Sequence, residues 1–235
     1  MKNMTIIIAL CTLAGCAGSL AGAPGHQLLQ QGLQLADARQ YDDAIPVFLA
    51  AARSHGETPR SVRWAAWNNL GVVLARTRQY PAALSAYANA LQHWPGAPVI
   101  RFNRGISYLH MKRYRFAEDD FRAAVHKSPA FASAWNNLGI AQIRRGRYAP
   151  ALRSLQHALR RRWGSPGAWN NLGAVYLLLD RPEAARRAFR RALSIDPDYA
   201  PARQNLRLLH IQARVTPRPQ PLLVVAARDG RTLGR

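Results

Sequence analysis

Five asparagines recur at a constant interval of 34 residues: Asn69, Asn103, Asn137, Asn171 and Asn205. A primary amide both donates and accepts, so a row of them on one face can hold an extended peptide backbone without reading its side chains. The same row serves equally well to hydrogen-bond one helix to the next. Other side chains keep step with the amides. Val72, Ile106 and Ile140 follow three residues later, Leu109, Ile143 and Leu177 three after that, and Arg76, His110 and Arg144 stand at the next place. On helices, spacings of three and four put these side chains on one face. The result is an apolar floor with a basic edge, suited to a peptide with aliphatic or aromatic anchors.

The one dense acidic group is Glu118-Asp119-Asp120. Paired carboxylates can act as an acid and a base. Here Arg122 stands four residues after Glu118 and Arg115 four before Asp119, the spacing of ordinary pairing on a helix surface. Nothing in the neighbouring sequence implies the desolvation that tunes a catalytic carboxylate. The chain has no glycine-rich phosphate loop, no HExxH, no CxxC and no nucleophile elbow. Its 7 histidines are scattered without metal-ligand spacing. No catalytic residue, metal or cofactor is expected, and the chemistry on offer is that of binding.

The elements that position the amides are read from a repeat. Trp67-Asn68-Asn69-Leu70-Gly71 recurs as Trp135-Asn136-Asn137-Leu138-Gly139 and Trp169-Asn170-Asn171-Leu172-Gly173, with Arg101-Phe102-Asn103-Arg104-Gly105 in the missing place. Small residues follow in register at Ala83, Ala117, Ala151 and Ala185, and again at Ala90, Ala124, Ala158 and Ala192. A 34-residue period with this signature resembles the tetratricopeptide repeat, a pair of antiparallel helices A and B. The resemblance implies an all-α, right-handed superhelical solenoid whose A helices line a concave groove. The expected units are 25–63 (atypical), 64–97, 98–131, 132–165 and 166–199, then a capping helix over 200–213 and a Pro-rich, apolar tail over 214–235. The first unit carries Leu28 in place of tryptophan and is five residues too long around Ser54–Ser61. Arg101 and Arg104 stand where Trp and Leu are usual, which predicts looser packing of the third unit. The lysine–asparagine clamp of chaperone-binding repeats is not matched, because the groove positions hold no lysine. Leu222 to Ala227, in the tail, could dock on a surface or stay free.

The first residues carry a different signal. Lys2 precedes an apolar stretch from Ile6 to Leu13, too short to span a bilayer, and Leu13-Ala14-Gly15-Cys16 follows. That tetrapeptide resembles the bacterial lipobox, which implies cleavage after residue 15 and a lipidated Cys16. Residues 16–24 then form a tether. By the same resemblance, alanine rather than aspartate at residue 17 implies the outer membrane, with the chain facing the periplasm.

Lys and Arg number 33 against 12 Asp and Glu, a formal charge of +21. Inside a cell such a balance raises nucleic acid first. An exported chain meets instead anionic head groups, lipopolysaccharide phosphates or acidic proteins. All but Lys2, Lys112 and Lys127 of the basic residues are arginine, a bias that genomic base composition also produces. Arg153, Arg160, Arg161, Arg162, Arg186, Arg187, Arg190 and Arg191 gather on two B helices, either as a solvated face or as a surface for anions. Repeat lipoproteins of this size resemble pilotins of type IV pili and assembly lipoproteins of the tight-adherence pilus. The implied function is a non-enzymatic scaffold assisting a pilus or secretin complex. The alternative is an envelope adaptor that recruits peptidoglycan hydrolases or proteases.

Overall fold

The computed structural model describes residues 24–54 and 58–215, with side chains as far as His210. The lipobox, most of the tether and most of the tail lie outside the described residues. Eleven helices are present: α1 (Pro24–Asp37), α2 (Tyr41–Arg53), α3 (Arg60–Arg76), α4 (Tyr80–His93), α5 (Pro98–His110), α6 (Tyr114–Lys127), α7 (Ala132–Arg144), α8 (Tyr148–Arg161), α9 (Pro166–Leu178), α10 (Pro182–Ile195) and α11 (Ala200–Val215). No strand occurs among the described residues. The chain divides into two compact units, one ending at Arg113 and one beginning at Tyr114. In the first, α1 to α5 pack each on the next, and α1 and α5 also touch α3. In the second, α6 to α11 do the same, and α7 and α11 also touch α9.

The periodic small residues explain these pairings. Ala83, Ala90, Ala117, Ala124, Ala151, Ala158, Ala185 and Ala192 are all buried, so neighbouring backbones can approach closely. Into that approach each B helix inserts one large side chain: Phe48, Tyr87, Phe121, Leu155 and Phe189 are fully buried. For Phe48, Tyr87, Leu155 and Phe189 a glycine on the facing A helix, Gly32, Gly71, Gly139 or Gly173, makes the space. A Cβ on Gly71 would lie 2.6 Å from the Tyr87 ring, and one on Gly173 2.5 Å from the Phe189 ring.

The A-to-B turns share one geometry. Arg39, Arg78, Lys112, Gly146 and Asp180 occupy the same place in successive units and all have positive φ, between 56° and 72°. After each, the N–H of Gln40, Gln79, Arg113, Arg147 or Arg181 reaches back to the carbonyl of Leu35, Leu74, Tyr108, Gln142 or Tyr176, at 2.8–2.9 Å. This is the Schellman closure, which satisfies carbonyls left over at a helix end.

The five extra residues of the first unit contribute in part to an added turn on α3, which starts at Arg60 and buries Val62. Within the first compact unit α5 is well packed, with Ile100 and Phe102 fully buried. Arg101 also takes over a polar task of the usual tryptophan. Its Nη2 donates to the Pro95 carbonyl at 3.2 Å, just as Trp135 Nε1 donates to Pro129 and Trp169 Nε1 to Trp163, at 2.9 and 2.8 Å.

Candidate functional site

The asparagine row is mostly consumed by the fold. Asn103 Nδ2 donates to Asn68 Oδ1 at 3.1 Å, Asn171 Nδ2 to Asn136 Oδ1 at 3.1 Å, and Asn205 Nδ2 to Asn170 Oδ1 at 3.0 Å. All six side chains are buried. Asn103, Asn171 and Asn205 therefore do not offer a row of free amides to a ligand; each is a rung tying one A helix to the preceding one. The partner residues Asn68, Asn136 and Asn170 were legible in the repeated Asn-Asn pair. Asn137 follows a unit with Phe102 at the partner place, and its amide donates instead to Ser133 of its own helix, at 3.0 Å. Asn69 follows a unit with Leu29 there. It is 2% exposed, and neither its Nδ2 nor its Oδ1 has a partner among the described residues.

The apolar floor divides likewise. Val72 and Ile106 are buried and belong to the packing of the first unit, whereas Leu109 is half-buried. In the second unit Ile140, Ile143 and Leu177 stay half-buried on α7 and α9, with Arg144 exposed beside them. In the first, Arg76 is half-buried and lines a cleft of about 30 Å3 together with Asn69, Val72, Val73, Leu33, Ala36, Tyr41 and Phe48. Burial, and to a lesser degree the neighbouring Arg39, holds the Arg76 guanidinium below its ordinary pKa, while Tyr41 and Tyr87 act in the opposite direction. Deep in the same unit, burial pushes the Tyr87 phenol up, against a hydrogen bond with Ser107 that pulls it down.

The expected pair of Glu118 with Arg122, four residues on, is present, but Glu118 is not on the helix surface. Its side chain is wholly buried and accepts from Arg122, Arg145 and Arg147, with Gln142 at 3.5 Å. Gln142 in turn accepts from Ser154 at 2.8 Å. Asp119 pairs with Arg122 at 3.3 Å rather than with Arg115. The cluster knots α6, α7 and α8 together, and sequence spacing missed it because Arg145 and Arg147 lie in the next unit's turn. The group has a structural use and no free carboxylate for acid–base work.

Arg160 and Arg161 on α8, Arg162 at its C-cap, and Arg187, Arg190 and Arg191 on α10 are exposed, and among the described residues none pairs with a carboxylate. Arg186 is half-buried and pairs with Glu183 at 3.6 Å. Arg191 lies over the ring of Trp163, 5.6 Å from its centroid, and Trp163 meets Trp169 edge-on at 4.7 Å. Among the described residues no group of His, Cys, Asp and Glu could hold a metal ion, and no helix is long and apolar enough to cross a membrane.

The repeating geometry agrees with comparison to known proteins. One model of the tetratricopeptide repeat matches residues 29–98 and 102–166, and a second such model matches 166–199. The chain belongs to the tetratricopeptide repeat family. Sequence comparison with curated proteins finds no match. Among solved structures, a tetratricopeptide repeat protein from Parabacteroides merdae superposes with a TM-score of 0.72 at 20% identity, over 82% of this chain and 75% of that one. MamA of Desulfovibrio magneticus gives 0.67 at 18% identity, over 76% and 98%. YrrB, described as a TPR protein with an unusual peptide-binding site, gives 0.64 at 18% identity, over 77% and 90%. At these identities the likeness is one of fold.

Proposed function

We propose that this tetratricopeptide repeat chain is a non-enzymatic, protein-binding scaffold, held at the outer membrane by lipid on Cys16, that assists assembly of a pilus or secretin complex. The observation that carries the binding part is the unspent face of the A helices. Ile140, Ile143 and Leu177 on α7 and α9 remain half-buried beside exposed Arg144, although Leu155, Phe189 and the periodic alanines of the same unit are buried. Apolar side chains left in this state, rimmed by charge, suit the anchors of an extended or helical peptide. The peptide-binding site named for YrrB shows that this fold can carry one. The lipobox-like Leu13-Ala14-Gly15-Cys16 supports the anchor. The unpaired arginines of α8 and α10 support contact with an anionic surface, at about 1 kcal/mol per basic residue near anionic lipid. The alternative is an adaptor for peptidoglycan hydrolases or proteases.

A photo-crosslinking residue at Ile143 in the living cell separates these readings. Capture of a secretin or pilus subunit is expected. Capture of a hydrolase or protease would move the proposal to the adaptor. Crosslinks only from B-helix positions such as Arg187, with none from Ile143, would remove binding on the A helices.

A further inference from the structure

We infer that the turn between α8 and α9 is a bilayer-contact element, in which Trp163 enters the headgroup layer of an anionic phospholipid surface while the arginines beside it hold lipid phosphates. The inference rests on the reading that the arginines of α8 and α10 meet an anionic surface. It names that surface and adds the residue that enters it.

Three observations meet at this turn. First, the indole is surplus to the fold. Pro95, Pro129 and Pro197 stand in the repeat register, and Trp163 takes the place between the last two. The Trp163 carbonyl accepts from Trp169 Nε1 at 2.8 Å, just as the Pro129 carbonyl accepts from Trp135 Nε1 at 2.9 Å. The backbone thus does its usual work whichever side chain is attached. The tryptophan is 57% exposed, more than Trp94 at 43% or Phe116 at 53%. Second, the exposed ring is already ordered. Trp169 meets it edge-on at 4.7 Å, and the Arg191 guanidinium lies 5.6 Å from its centroid. A side chain held before binding loses less entropy on binding. Third, the surrounding charge lacks a counterpart. Arg160, Arg161 and Arg162 directly precede Trp163, and no Asp or Glu occurs between Asp120 and Asp180. On α10, Arg186 and Arg190 form a like-charge pair four residues apart, and so do Arg187 and Arg191, a spacing that costs helix stability. A bound anion relieves that repulsion.

The indole decides which anion. A soluble phosphate satisfies guanidiniums but leaves the ring in water. A phospholipid surface supplies both partners: phosphates for the charges, and an interfacial layer that favours tryptophan because its body is apolar and its N–H stays wet. Basic residues beside a bulky apolar one are the combination that lets a protein surface lie in that layer. Base composition accounts for arginines and does not account for an indole in a proline's place.

The full chain carrying Cys16→Ser, so that binding does not depend on attached lipid, is labelled with fluorotryptophan. It is mixed with bicelles that are zwitterionic, contain phosphatidylglycerol, or contain lipopolysaccharide, each with a spin-labelled headgroup. Fluorine NMR reads the contact, and the Trp163 line is assigned by its absence in Trp163→Phe. The expected result is broadening strongest at Trp163 with phosphatidylglycerol, absent with zwitterionic lipid and reversed by salt. In sedimentation with phosphatidylglycerol vesicles, Trp163→Ala should weaken partition about tenfold, the scale of burying part of an indole. Trp163→Phe should keep most of the binding. Vesicle binding with an unbroadened Trp163 line would overturn the inference and leave the arginine reading standing. Absence of vesicle binding would remove both. Broadening strongest at Trp94, or with lipopolysaccharide alone, would also overturn it. So would a Trp163 line that shifts with poly-glutamate and ignores the lipid probe, which would mark an acidic protein surface.

Discussion

His157 stacks on Trp135 with ring centroids 4.4 Å apart, and its Nδ1 is buried without a partner. Burial first, then Arg160 and Arg161, hold the imidazole below its ordinary pKa. In the unfolded chain the same ring titrates near pH 6.5. As pH falls through that value the unfolded state takes up a proton that the folded state refuses, so stability falls with it. The loss levels off below the folded pKa, where both states are protonated. Melting curves between pH 7.5 and 5 should therefore show a decline that His157→Gln reduces; an unchanged decline would remove this residue as its cause. Glu118 behaves differently. Glu118→Gln leaves three guanidiniums around a neutral amide and should cost about 2–3 kcal/mol in urea unfolding, the low side of what a broken buried pair costs because the arginines reach solvent. Neither environment was legible beforehand. His157 and Glu118 look like exposed positions in a linear sequence, and what buries Glu118 arrives from the following turn.

At the scale of the element, the A-to-B turn makes the sharpest forecast. Four of its five left-handed places hold a residue with a Cβ: Arg39, Arg78, Lys112 and Asp180. Left-handed backbone costs an L-residue about 1–2 kcal/mol, while glycine gives back roughly half of that in unfolded-chain entropy. Arg78→Gly should thus raise stability by about 0.5–1 kcal/mol, and Gly146→Ala should lower it by a similar amount, both read by chemical denaturation. Inside the helix pair the sign reverses. Gly71→Ala drives a methyl into the Tyr87 ring and should cost about 1–3 kcal/mol. The helices themselves were readable because alanine, glycine and aromatic positions repeat with one period. The fate of the amides was not, since an Asn-Asn pair looks the same whether it faces a ligand or another helix. Only the interruption of the pattern at Leu29 and Phe102 separates Asn69 and Asn137 from the others.

For the whole molecule, the register of the repeats was visible from Trp67 to Gly173, and family models match the same span. Partner and location were not visible, because packing does not constrain the exposed residues that would meet a partner, and the proposed lipid site, Cys16, lies outside the described residues. Metabolic labelling with a palmitate analogue should mark the wild-type chain and not Cys16→Ser; labelling of both would discard the lipobox. The basic face has its own test. Replacing Arg160, Arg161, Arg162, Arg187, Arg190 and Arg191 with glutamine should weaken sedimentation of delipidated protein with anionic vesicles, and wild-type binding should fall as salt rises. Equal binding by both proteins would reduce the cluster to a solvated surface.

The amide rungs also impose a direction in time. In every pair the donor comes from the later residue, 35 positions downstream: Asn103 to Asn68, Asn171 to Asn136, Asn205 to Asn170. A nascent chain cannot close one repeat's buried carbonyl until the opening of the next has emerged. The repeats that carry Asn68, Asn136 and Asn170 are thus provisional until their successors are made, and α11 is the full stop that completes the last of them.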